Sequence, residues 1–221
     1  MEYRDPGRPG NHSILRIGAA VFLLAATCCL GGCIATQLKA TSNRPVEANM
    51  EVFARASVLQ HTMDSACLFR FSAPPEMAAA SPMLTSVFQT RLEQRGPFAQ
   101  IRLVPATIDS DAVAVWYARK MDCPLAIVPS LLYLIQGAGG TPTKLVVRIR
   151  ILDAATGQVL WDIKQTAWSE PGPDIDLTWN TIVGAPARGD HALAECLADR
   201  FTGYLAQSLA QERKLQESLQ Q

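Results

Sequence analysis

The sequence predicts an α/β (α+β) domain: a mixed five-stranded sheet with two crossover helices, an antiparallel meander and a C-terminal helix. Three observations lead there. Strand and helix patterns alternate over residues 67–120, the order that builds parallel strands through right-handed crossovers. The run Leu125–Ile135 is apolar almost throughout, the mark of a strand covered on both faces and central in its sheet. Beyond it, Leu145, Val147, Ile149 and Ile151 alternate with Arg148 and Arg150. Asp153-Ala154-Ala155-Thr156-Gly157 then leads to a second alternating run, a bulged hairpin closed by a glycine able to take positive φ.

Residues 67–71 form the first strand, Cys67, Phe69 and Phe71 alternating with Leu68 and Arg70. Pro74 and Pro75 mark a loop. Ser81-Pro82 reads as N-cap and first helical residue, because proline lacks an N–H that goes unpaired there anyway. The helix aligns Leu84, Val87, Phe88 and Leu92 and stops at Gly96-Pro97. A second strand, residues 98–104, ends at Pro105. Asp109-Ser110-Asp111 then supplies caps and negative charge to a second helix, which presents Val113, Trp116, Tyr117 and Met121.

Within the apolar run, Pro129 cannot donate a ladder hydrogen bond, so a bulge or kink is expected there. Residues 136–142 turn the chain into the hairpin. Its second strand sets Val159, Trp161, Ile163 and Ala167 on one face and Asp162, Lys164 and Thr166 on the other. Residues 169–189 read as a long loop without regular structure. Asp190 caps a last helix whose stripe is Leu193, Cys196, Leu197, Phe201, Tyr204, Leu205 and Leu209.

The start of the chain is of another kind. Arg4, Arg8 and Arg16 accompany an apolar stretch over residues 14–30 that ends in small residues, the pattern of a secretory signal peptide. Its clean core is shorter than the ~20 residues that span a bilayer. The expected organisation is therefore a signal peptide at 1–32, a tether at 33–50, one globular domain at 51–210 and a polar tail at 211–221 that frays or forms a solvent helix. Residues 51–65 carry only a weak helical pattern in Val52, Phe53 and Val58.

Removing residues 1–32 leaves 17 basic against 18 acidic side chains, a balance that offers nothing to nucleic acid or to an anionic membrane surface. Cys67, Cys123 and Cys196 each sit in apolar context, which reads as three small buried side chains. One disulfide is the alternative, and the spacing selects no pair.

Leu30-Gly31-Gly32-Cys33 resembles the lipobox of bacterial lipoproteins. That resemblance implies acylation of Cys33 as the first mature residue. Ile34, rather than Asp, after it implies the outer membrane, with the domain facing the periplasm. A second resemblance rests on Leu84-x-x-Val87-Phe88-x-x-x-Leu92 running through Gly96-Pro97-Phe98 to Ile101. It continues in Cys123-Pro124-Leu125-Ala126-Ile127-Val128 and in Asp153-x-x-Thr156-Gly157-x-Val159-Leu160-Trp161. Over residues 66–209 these are similar to the N-terminal domain of the Tol system's β-propeller protein, the curli-secretion lipoprotein and the lipoprotein activators of penicillin-binding proteins. Met121-Asp122-Cys123-Pro124 stands where members commonly have Gly-Ala-Asp. The resemblance implies a recruitment or assembly module of the envelope.

No catalytic constellation is legible. No Gly-x-Ser-x-Gly occurs, and His61 and His191 are the only histidines after Cys33. Residues 137–144 mimic a phosphate loop but lead into a strand. A non-enzymatic protein without cofactor, metal or evident small-molecule substrate is expected, acting through its lipid anchor and an envelope protein partner. The long loop is the candidate contact, since unstructured loops of ~20 residues in compact domains are often functional. Trp168 and Trp179 are of the residue type that anchors interfaces, or else caps on the core edge, with Asp174 and Asp176 beside them. Two alternatives remain open. A secretion channel of several copies would need long amphipathic hairpins that are absent here; an envelope hydrolase lacks its catalytic groups.

Overall fold

The computed structural model describes residues 45–57, 65–137, 140–178 and 180–219. The signal segment, Cys33, His61 and Trp179 lie outside the described residues.

The sheet has six strands rather than five. In chain order they are β1 (Glu47–Arg55), β2 (Ser65–Arg70), β3 (Gln100–Thr107), β4 (Leu125–Ile135), β5 (Thr143–Asp153) and β6 (Val159–Ser169), arranged β1-β6-β5-β4-β2-β3. The added strand, β1, falls where a tether and weak helix were expected. It runs antiparallel to β6 at the sheet's edge. Its inward residues Ala48 and Met50 are only partly buried, so its period of two is faint in composition.

β2, β3 and β4 are mutually parallel, while β4, β5 and β6 form the expected antiparallel meander. Helix α1 (Ser81–Arg95) carries β2 outward to β3, and α2 (Asp111–Lys120) carries β3 back across β2 to β4. Crossovers of one hand travelling in opposite directions place their helices on opposite faces. Accordingly α1 and the last helix, α3 (Asp190–Leu219), cover one face with Leu84, Phe88, Leu92, Leu197, Phe201 and Leu205. On the other face α2 packs Ala114, Val115 and Ala118 against Cys67, Phe69, Val104 and Val128. Arg91 and Arg95 of α1 tie to Glu195 and Asp199 of α3 at 3.1–3.3 Å.

Several local expectations need correction. Residues Pro75–Ala80 form a 3₁₀ helix that runs directly into α1, so Ser81 is the first residue of the α-helix rather than its cap. The Ser81 hydroxyl donates to the Phe71 carbonyl at 2.6 Å. β3 passes through Pro105, which an edge strand tolerates because its outer N–H has no ladder partner. Helix α2 turns Val113 and Trp116 outward and buries Ala114, Val115 and Ala118 instead, since small side chains let it approach the sheet. Trp116 lies under the Lys120 ammonium, 5.1 Å from the ring centre. The loop after β6 contains a short hairpin, β7 (Ile175–Leu177) and β8 (Asn180–Ile182). The tail takes the solvent-helix form of its two expected outcomes, α3 continuing to Leu219.

Cys67 and Cys123 form a disulfide linking β2 to the segment between α2 and β4, so the alternative of one disulfide holds rather than three unlinked cysteines. Among the described residues Cys196 is the free thiol and is half-buried; desolvation raises its pKa. The Asp153–Gly157 turn is as expected, with Gly157 at φ 78° and the Asp153 carboxylate accepting from the N–H groups of Ala155 and Thr156.

One core feature runs against polar satisfaction. Gln165 of β6 is fully buried on the α3 face, and neither its amide nitrogen nor its oxygen finds a hydrogen-bond partner. Gln165→Met keeps the length and removes two desolvated polar atoms, so it is expected to stabilise the fold by about 1–2 kcal/mol. Urea unfolding checks this; a lowered midpoint would show that the amide is bonded after all.

Candidate functional site

Helix α2 covers only part of the second face. The remainder, across β4, β5, β6 and β1, is built mostly of exposed or half-buried side chains, with Val146 and Asp162 buried among them. Strand register orders it in rows: Ile135, Lys144, Trp168 and Glu47; then Tyr133, Val146, Thr166 and Asn49; then Ser130, Arg148, Lys164 and Glu51.

The lower rows satisfy themselves. Arg148 donates to both oxygens of Asp162, Nε to Oδ1 at 2.8 Å and a terminal nitrogen to Oδ2 at 2.6 Å. That hydrogen bonding, outweighing burial, raises the Arg148 pKa. Arg150 pairs with Asp111 at 2.6 Å and Lys164 with Glu51 at 3.4 Å. The Phe53 ring lies 5.9 Å from the Arg148 guanidinium carbon. With each cation matched by an anion on a neighbouring strand or on α2, this half has little charge left to offer a partner.

The upper rows differ, and a bulge is the reason. Pro129 passes through its pairing with β5 undisturbed; what stops beside it is the ladder to β2, which ends at Leu68↔Ile127 and is resumed by one bridge at Ser72↔Ser130. The slip in β4 comes later, between Leu131 and Tyr133. An extra residue reverses the alternation beyond it. Leu134 therefore turns into the core, while Tyr133 and Ile135 join the open face. Leu132, Tyr133 and Ile135 are 43%, 42% and 41% exposed. They share this end of the sheet with Lys144 and half-buried Trp168. Aromatic and aliphatic side chains at this density, rimmed by Lys144 and Glu47, have the make-up of an interface core with a polar rim.

The residues singled out in the sequence fare unequally. Trp168 lies in this patch. Asp174 and Asp176 serve their own loop: Asp174 accepts from the Gly184 N–H at 2.8 Å and Asp176 from the Thr181 hydroxyl at 2.9 Å. Trp179 and the lipidation candidate Cys33 fall outside the described residues. Tyr133 and Ile135 were not anticipated, although an apolar strand of 11 residues outrunning its covering helix was a signal for them. Among the described residues no cluster of three or more His, Cys, Asp or Glu could hold a metal ion, and no helix is long and apolar enough to cross a membrane.

No protein-family model matches the chain, and no curated protein matches it. Solved structures do. The PelC dodecamer from Paraburkholderia phytofirmans is 15% identical with a TM-score of 0.51, over 70% of this chain and 94% of that one. Lipoprotein GNA1162 from Neisseria meningitidis is 11% identical with a TM-score of 0.37, over 65% of this chain and 99% of that one. The PelC likeness shows a shared fold. The mixed α/β sandwich expected from the sequence is thus one that a bacterial protein of solved structure also adopts.

Proposed function

We propose that this chain is a non-enzymatic outer-membrane lipoprotein, anchored through Cys33 and facing the periplasm, whose domain binds an envelope protein and aids its assembly or regulation. The observation that carries the binding role is the patch of Tyr133, Ile135 and Trp168, exposed by the bulge in β4. The anchor rests on the Leu30-Gly31-Gly32-Cys33 motif. The Cys67–Cys123 disulfide supports export, because such bonds persist in oxidising compartments.

A second reading has its own support. PelC, which shares the fold, was solved as a dodecamer, so the partner at this face is then another copy of the chain. Detergent-extracted full-length protein separates the two. A complex with a different protein supports recruitment, and a discrete homomeric mass supports self-assembly. Replacing both Tyr133 and Trp168 with Ala is expected to weaken whichever complex forms by about 2 kcal/mol or more, roughly thirtyfold. Trp116→Ala on α2, a similarly exposed aromatic outside the patch, is expected to leave it unchanged. Equal loss in both variants would remove the patch from the proposal. Mass spectrometry of the mature N-terminus tests the anchor: an unmodified start upstream of Cys33 would exclude it.

A further inference from the structure

The carboxyl ends of β2 and β3 border a cleft with a different chemistry. These strands are adjacent and parallel, yet β2 leads to α1 on one face and β3 to α2 on the other. Where neighbouring parallel strands send their connections to opposite faces, a crevice opens beyond the strand ends, and open α/β sheets bind ligands there. Here it is a cleft of about 290 Å³ lined by Arg70, Ser72, Ala78, Ser81, Thr107 and Asp109.

Two further observations mark this cleft as more than a seam. First, the register slips at its mouth: Phe69 pairs with Val104 but Arg70 with Thr107, so Pro105 and Ala106 are extra residues on β3. Bulges of this kind re-aim side chains and gather beside functional sites. Second, the cleft is lined by opposite charges that leave each other alone. Arg70 and Asp109 both border it, and neither forms an ion pair or hydrogen bond with any described residue or with the other. On the sheet's other half, by contrast, Arg148, Arg150 and Lys164 are each paired with a carboxylate. Ser81 is committed to the Phe71 carbonyl, whereas the Ser72 and Thr107 hydroxyls have no hydrogen bond among the described residues.

We propose that this cleft binds a small zwitterion, an α-amino acid or short peptide. Arg70 takes its carboxylate, Asp109 its ammonium group, and Ser72 and Thr107 its amide. An anion alone would leave Asp109 repelling it, and a cation alone would face Arg70. A ligand bearing both charges pairs both groups at once. The volume lies at the low end of small-molecule sites, which suits one or two residues and excludes a longer folded partner.

The test uses full-length protein in detergent micelles and the probe alanyl-alanine, with its N-acetylated and C-amidated forms, followed by isothermal titration and by ligand-observed NMR. Wild type is expected to prefer the zwitterion over each blocked form by about tenfold or more. Arg70→Gln is expected to abolish the preference for free acid over amide while keeping that for the free amine. Asp109→Asn is expected to do the reverse. Both side chains are exposed, so melting temperatures should stay at the wild-type value. No binding of alanyl-alanine up to roughly 50 mM, or equal affinity for all three forms, would overturn the proposal. Neither result bears on the Tyr133 and Trp168 surface, which uses other residues.

Discussion

Trp161→Ala is expected to destabilise the domain by about 3–5 kcal/mol, the range for deleting a buried aromatic side chain. Trp161 is fully buried and joins three elements. Its indole N–H donates to the Ala56 carbonyl at 2.6 Å, just past the end of β1. Its ring meets Tyr204 of α3 edge-on, centroids 5.6 Å apart. Its backbone lies in β6 between Arg55 and Ile151. Truncation leaves a cavity and also strands the Ala56 carbonyl, so the two penalties add. For a domain of this size the melting temperature should fall by roughly 6–20 °C. Trp161→Phe keeps one aromatic ring but loses the hydrogen bond and part of the buried volume, and should cost less than the alanine variant, about 1–3 kcal/mol. Thermal and urea unfolding followed by circular dichroism measure both. A loss under about 1 kcal/mol for the alanine variant would contradict the burial described.

Opening the Cys67–Cys123 bond is the second large effect. It closes a loop with a sequence separation of 56 residues, for which chain-entropy arguments give about 4 kcal/mol, within the 2–5 kcal/mol typical of native disulfides. The paired variant Cys67→Ala and Cys123→Ala avoids burying hydroxyls at two sites that are 0% and 2% exposed. It is expected to melt lower than the oxidised wild type by roughly 5–15 °C. Wild type treated with a reductant should approach the variant. If reduction left the unfolding midpoint unchanged, the bond would not be contributing to the fold.

The parts of this fold written in local sequence were the ones with strong periodicity. The hairpin about Asp153–Gly157 announces itself because a capping carboxylate, a positive-φ glycine and alternating strands agree. Leu84, Phe88 and Leu92 mark the buried side of α1 for the same reason. The misreadings share a cause, which is that the deciding partner is distant in sequence. β1 is a strand because β6 offers it an edge, not because its own composition insists. Trp116 faces outward because α2 lies close to the sheet and fits only the small Ala114, Val115 and Ala118 beneath it. Pro129 does weaken a ladder, but the one to β2, and the slip that exposes Tyr133 occurs where β4 extends past its last β2 partner. The interaction patch was half legible: Trp168 by residue type, Tyr133 and Ile135 only once the bulge is known. The cleft at Arg70 and Asp109 was not legible at all, because β2–β3 adjacency and opposed helices create it.

The cystine also divides the molecule topologically. From Cys67 to Cys123 the backbone is a closed ring that contains α1, β3 and α2, whereas β4, β5, β6, β1 and α3 belong to open chain. A protease that severs one peptide bond inside the ring releases no fragment, because each new end is still attached through sulfur. The same cut in the meander would detach whole strands. The half of the domain holding the Arg70–Asp109 cleft is thus protected against being lost by a single nick.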